Sequence, residues 1–380
     1  MKKALILVIL TTAACNDTAA THTGSSTLPS LSGAPIQNGL GLVLGTAFDY
    51  TVSGVDAFGT ASAALTHPNF MVADGDAVLR RAGDVAVIIN RGQASNLIVV
   101  DGTLAPVAQV SLAGCGPHDL VVLDDHRILL TCYEEKAMRI VDFASGQVSA
   151  GPDLSAFADA DGIPEMDQIG RGGGAFWVSL ELLDRNDPFW APTGPGLVVA
   201  LDETTLEVID LDPATPGVQG LPVCTNPYSR FANAPDGRLL VGCSGVYGVA
   251  DTSAVVAIDP MQHTVSTIAD GPAVGGQLSD LGVSATGQVF AIISYPYTKA
   301  FEMPDDMRLV RLDPTGAVKL YAAPGGSLGG FTFDADGALW VANRSMTPTG
   351  STGIWRVPAA GGDAIGPLET TLPPLELEIF

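Results

Sequence analysis

Basic residues are scarce: 18 Lys plus Arg stand against 41 Asp plus Glu, a formal net charge of -23 over 380 residues. A surface of that sign repels phosphate backbones and anionic headgroups, which excludes nucleic acid as a partner. The acidity itself reads as a soluble exported surface, with a cation-binding face as the sharper alternative. Long apolar runs are missing too, since nothing after the first fifteen residues could span a bilayer. Helical periodicity is rare. No GxSxG elbow, HExxH pair, phosphate-binding glycine loop, CxxC pair or activated cysteine occurs, and nothing indicates a quinone or haem.

What is present begins at the start of the chain. Lys2 and Lys3 precede a short apolar run, and small residues then lead to Cys15. The pattern resembles a bacterial lipobox, although Thr12 stands where Leu is commonest and Leu10 lies early. An ordinary secretory signal is the alternative. On the first reading residues 1–14 are a signal peptide and Cys15 is the lipidated residue that holds the protein to the membrane. Residues 15–35 are then a tether, because their Ser, Thr, Gly and Ala bury too little apolar surface to order themselves. The expected location is the bacterial cell envelope, at the outer membrane or cell surface more than the inner membrane.

Residues 36–380 read as one all-β domain, with 44 Gly, 26 Pro and 47% hydrophobic residues in the chain. A turn followed by an apolar strand recurs at Gly39, Asp84, His126, Gly174, Gly237, Gly287 and Gly337. The steps of 45, 42, 48, 63, 50 and 50 residues suit stacked units that cannot bury their own apolar faces. The last unit divides into four strands: GGFTF, then ALWVAN after an Asp-Ala-Asp-Gly turn, then GIWRV and an outer strand near AIGPL. The fourth anchor position holds Leu42, Val87, Leu129, Trp177, Leu240, Phe290 and Trp340, which predicts packing between neighbouring sheets. The first unit lacks a strand before its anchor, and PPLELEIF at the C-terminus is a spare strand. The ends are expected to share a blade. The prediction is a seven-bladed β-propeller closed by the C-terminal strand, with six blades plus an N-terminal extension as the alternative.

Trp340-Val341-Ala342-Asn343 and Val87-Ile88-Ile89-Asn90 resemble the tetrapeptide of YVTN-type β-propeller repeats, and FDADGALWVAN is similar to blades of virginiamycin B lyase and gluconolactonase-like propellers. Across residues 39–380 the chain resembles bacterial surface lipoproteins of the YVTN type. That resemblance implies a fold more than an activity.

With Cys15 assigned to lipid, four cysteines remain, an even number in an exported protein. Cys132 and Cys243 occupy the seventh place of their anchor motifs, while Cys115 and Cys224 precede the first strands of the same blades. The expected disulfides are Cys115 with Cys132 and Cys224 with Cys243. A zinc site is the alternative, but the spacing is wrong for it.

In a propeller the segments that enter first strands and leave second strands meet at one mouth of the channel. The entering segments offer His118, Asp119, Glu165, Asp167, Asn226, Arg230, Gln277 and Asp280. Those leaving offer Asn90, Arg91, Tyr133, Glu134, Glu135, Glu181, Tyr295, Asn343 and Arg344. The candidate funnel set is Arg91, His118, Asp119, Glu165, Glu181, Arg230, Asp280 and Arg344. No cofactor is required by the sequence; a divalent cation such as calcium fits the oxygen-rich part of the set. The plainer reading has the asparagines bonding blade turns and the arginines pairing with carboxylates. Asp159-Ala-Asp161-Gly162 resembles part of a calcium loop but lacks the later ligands, so a surface turn is expected. The longest step contains ELLDRNDPFWAPTGPG, where Phe189 and Trp190 are candidate contacts for a ligand or partner. Residues 294–307 form a second long loop. The function expected first is non-catalytic binding or scaffolding, with a protein, glycan or small molecule as ligand. The alternative is a metal-assisted lyase or lactone hydrolase at the mouth, with His118 as acid or base and Glu165, Glu181 or Asp280 as ligands.

Overall fold

The computed structural model describes residues 30–92, 94–249, 251–295, 306–324, 326–345 and 352–380. The signal peptide, Cys15, most of the tether, the centre of the 294–307 loop and the Tyr295 side chain lie outside the described residues. Seven antiparallel sheets stand as blades around one axis, and two 3-10 turns are the helical segments among the described residues. Six blades follow chain order. Their axial strands are Ala77–Ala82 (blade 2), Pro117–Val122 (blade 3), Met166–Gly172 (blade 4), Ala232–Asn233 (blade 5), Gln277–Val283 (blade 6) and Leu328–Phe333 (blade 7). Blade 1 is composite: Pro374–Ile379 is its axial strand and pairs antiparallel with Leu40–Thr46, placing Leu377 opposite Val43. The C-terminal strand thus closes a seven-bladed ring, and the six-bladed alternative falls.

Each blade meets a neighbour on both faces, so its inner strands are apolar on both faces and lose the in-out alternation of a half-exposed sheet. Val85–Asn90 is buried at every position, whereas the outer strand Gln147–Asp153 is largely exposed. The seven anchor side chains, Leu42 through Trp340, are all at most 2% exposed. Trp177 Nε1 donates to Gly172 O and Trp340 Nε1 to Asp334 Oδ2, each at 3.0 Å, so both tryptophans are satisfied core residues. The anchor glycines have a backbone reason as well. Gly39, Gly174, Gly237, Gly287 and Gly337 take φ between 78° and 88°, a left-handed turn that favours glycine.

Both expected disulfides form. Cys115–Cys132 and Cys224–Cys243 span 17 and 19 residues, each joining the approach to an axial strand to the end of its second strand. Residues 30–36 are seated against the far ends of blades 2 and 3: Ser32 N donates to Asp125 O, Ile36 N to Asp84 O, and Gly102 N to Ala34 O. Leu31 and Ile36 are each 4% exposed. The lead-in therefore runs along the face where axial strands end, opposite the mouth.

Candidate functional site

One backbone hydrogen bond recurs and defines the mouth. The residue just after a second strand, or at its end, donates its N–H to the carbonyl of a residue entering the axial strand of the same blade. The pairs are Thr46 to Pro373, Arg91 to Asp76, Tyr133 to Gly116, Glu181 to Glu165, Ser244 to Asn226 and Arg344 to Ser327. All six donors are buried. Gly116, Glu165 and Asn226, equivalent acceptors, share a left-handed backbone with φ of 55°, 44° and 57°. Glycine and asparagine tolerate that region; a glutamate there is strained by about 1–2 kcal/mol and is held by its contacts.

Deeper in the channel, carboxylates of one axial strand clasp the next. Asp119 Oδ2 accepts from Ile169 N, and Asp280 Oδ2 from Phe331 N, both at 3.0 Å. Glu376 Oε2 likewise accepts from Leu79 N. The strands shift register between Met166 and Ile169 and between Leu328 and Phe331, so Ile169 and Phe331 each close a bulge. Arg80 lies between two clasps, with Nε 2.6 Å from Asp119 and Nη1 3.1 Å from Glu376. Arg230 Nη1 meets Glu378 at 2.9 Å. Burial pushes the Asp280 carboxyl well above the usual carboxylate range.

At the mouth over blades 3 and 4, His118, Tyr133, Glu165, Asp167, Glu181 and Arg185 form one cluster. His118 stacks on Tyr133 with ring centres 4.2 Å apart, and its Nδ1 lies 2.8 Å from Asp167 Oδ1. The Tyr133 hydroxyl donates to Glu181 Oε2. Burial and the adjoining Asp167 push the Glu181 carboxyl well up, and burial with Glu181 raises the Tyr133 hydroxyl. Glu165 is sealed from solvent; burial raises it to about 7 despite Arg185 Nε at 2.6 Å. The loop 181–196 folds back over this cluster. Arg185 reaches Glu134 Oε2 at 2.5 Å and Tyr133 O at 2.9 Å, and lies over the rings of Tyr133 and Trp190. Trp190 runs parallel to Tyr133 at 6.2 Å, while Phe189 is half exposed. Beside the cluster, an open cleft of about 460 Å³ is lined by Arg91, Ser95, Gly116 and Glu134 among others.

The structure thus brings His118, Glu165 and Glu181 together and seats Arg91 and Arg344 in the same rim. It sets Asp119, Arg230 and Asp280 lower, in the clasps between axial strands. Asn90 and Asn343 bond blade turns: Asn90 Oδ1 accepts from Asp74 N at 2.8 Å and Asn343 Oδ1 from Ser345 N at 2.9 Å. Arg91 and Arg230 pair with carboxylates; among the described residues Arg344 does not. Sequence reasoning passed over Arg80, Arg185, Glu376 and Glu378. The alternation Leu-Glu-Leu-Glu-Ile in the closing strand was the available signal for both glutamates, since every position of that strand is buried. The Asp159–Gly162 segment is a turn, with Gly162 N donating to Asp159 O.

For a cation, the oxygen donors of the mouth and channel are only partly committed: Glu165, Asp119 and Asp280 serve Arg185, Arg80 and a backbone N–H, while Asp167 Oδ2 and Asp280 Oδ1 are buried without a hydrogen-bond partner among the described residues. Among the described residues, the one converging group of three acidic or histidine ligands is Asp124, Asp125 and His126, in an exposed turn on the opposite face, where Arg127 holds Asp124 at 2.6 Å.

Comparison with known proteins adds the fold. No family model and no curated protein sequence matches the chain. A putative 6-phosphogluconolactonase of Bacteroides uniformis superposes with a TM-score of 0.60 at 13% identity, covering 90% of this chain and 100% of that one. The likeness is one of fold. A streptogramin B lyase gives 0.53 at 12% identity over 83% of this chain and 93% of the other. Virginiamycin B lyase from Staphylococcus aureus gives 0.53 at 12% over 79% and 86%.

Proposed function

We propose that this chain is an exported, lipid-anchored propeller of YVTN-type kinship that binds a protein, glycan or small molecule at its mouth without turning it over. The carrying observation is the path of the lead-in: residues 30–36 are fixed to the face opposite the mouth, so an anchor at Cys15 leaves the mouth facing outward. Two features agree with it. At the mouth Glu165 is committed to Arg185 and Leu183 N and Glu181 accepts from the Tyr133 hydroxyl, and the longest loop lays Phe189 half exposed beside the Tyr133–Trp190 pair. Aromatic side chains on rigid scaffolds are common binding anchors.

A second reading is favoured by one observation, the His118–Asp167 pair. Asp167 holds Nδ1 and leaves Nε2 as the nitrogen available to a substrate, the arrangement of a general acid or base. In this reading the protein is a lyase or lactone hydrolase, metal-assisted if a divalent cation is held by the oxygen donors of the mouth, and the lactonase and lyase neighbours set the compounds to try. The two readings separate in one experiment. Purified protein is screened by thermal shift against glycans, peptides, lactones and streptogramins, with turnover followed in parallel. Binding is expected to be lost in Phe189→Ala with the unliganded melting temperature unchanged, and no turnover is expected. Sustained turnover abolished by His118→Ala establishes the second reading instead.

A further inference from the structure

The repeat supplies its own control for one arginine. The second strands of blades 2 and 7 end in the same dipeptide, Asn90-Arg91 and Asn343-Arg344. The backbone sets both arginines alike, Arg91 N donating to Asp76 O at 2.9 Å and Arg344 N to Ser327 O at 2.8 Å. In blade 2 that acceptor residue also brings a carboxylate, with Asp76 Oδ1 2.5 Å from Arg91 Nη2. In blade 7 the same place holds Ser327, and among the described residues no carboxylate stands in for it. Among the described residues Arg344 makes no ion pair; its guanidinium donates through Nη1 to Pro373 O at 3.1 Å and lies over the rings of Phe48 and Tyr50, 5.6 and 5.5 Å from their centres. Arg344 is 2% exposed. The other buried arginines of the channel and rim, Arg80, Arg91 and Arg230, each have a carboxylate. A cation withdrawn from water without an anion is costly, and burial accordingly lowers the Arg344 pKa where Asp76 raises that of Arg91.

We propose that Arg344, framed by Ser327, Phe48 and Tyr50, is a binding site for a carboxylate-bearing ligand whose carboxylate takes the place that Asp76 holds beside Arg91. A carboxylate is the group that the equivalent rim position already places there, and guanidinium recognises it through paired N–H donors. The two flanking rings give apolar surface to the remainder of the ligand. The site lies between blades 7 and 1, and it stands whether the cluster over blades 3 and 4 binds or catalyses.

The test is the melting temperature of the whole protein in sodium acetate against sodium chloride at equal ionic strength, with sodium phosphate as a third arm. Acetate is expected to raise the melting temperature with a saturating dose dependence, as a ligand of the folded state does. Arg344→Gln is expected to weaken the apparent acetate affinity by about tenfold or more, the loss of a charge-assisted pair. Ser327→Asp keeps the arginine, installs the blade 2 pair and is expected both to raise the melting temperature in chloride and to abolish the response to acetate. The proposal is overturned if wild-type protein shows no acetate-specific shift, if Ser327→Asp responds like wild type, or if phosphate shifts the transition and acetate does not. Should Arg344→Gln fail to fold, Ser327→Asp and the wild-type titration decide.

Discussion

At the scale of single residues, Glu165 combines the most opposing forces. Its backbone is left-handed, its side chain is sealed, and Arg185 and Leu183 N hold its two oxygens. Its carboxyl titrates near 7 in the fold against 4.5 for the ordinary group. A carboxyl raised by folding contributes its stability fully at low pH and loses it as pH rises from about 4.5 through about 7, because the folded state holds the proton longer. Wild-type protein is therefore expected to lose melting temperature across that window, and Glu165→Gln to flatten the loss by several degrees; parallel curves for the two proteins contradict this account. Glu165 was visible in the sequence as a polar residue entering an axial strand. Its partner Arg185 was not, because 20 residues and a loop of irregular backbone separate them. Arg80 and Glu376 were illegible for a stronger reason: they meet across the closure of the ring, 296 residues apart, and no local pattern encodes that contact.

At the scale of elements, the blades were legible because each depends on local signals that repeat: a left-handed glycine, an apolar second strand and a large fourth anchor residue. The disulfides were legible through the same register, since two cysteines at the seventh anchor place fix where their partners must lie. Each bridge pins a mouth segment in blade 3 or blade 5, on either side of the blade that carries loop 181–196. Replacing Cys224 and Cys243 together by serine is expected to lower stability by about 2–4 kcal/mol in chemical denaturation. An unchanged midpoint and slope under oxidising conditions would show that the bridge is dispensable. The course of loop 181–196 was legible only as length and composition. Its return onto Tyr133 rests on side-chain contacts from two blades, Trp190 with Tyr133 and Arg185 with Glu134, which no spacing rule captures.

At the scale of the whole molecule, the axis of the channel is built from cross-blade ion pairs and clasps. The described fold begins on the face opposite the mouth. On the anchored reading proposed above, Cys15→Ser is expected to move the protein from the membrane fraction to the soluble fraction of a cell lysate, with its melting temperature unaltered. A protein that fractionates identically with serine at that position is held by something other than lipid. The composite blade has one more consequence, in the order of synthesis. Its axial strand is made after every other strand, and Thr371 with Asp56 already joins residues 315 positions apart just before it. Until that strand arrives, the edge of Leu40–Thr46 has no partner on its axial side, so a nascent chain carries an open seam throughout its production. The interval between emergence of Leu40–Thr46 and synthesis of Pro374–Ile379 is then the period in which a chaperone or a neighbouring chain competes for that seam.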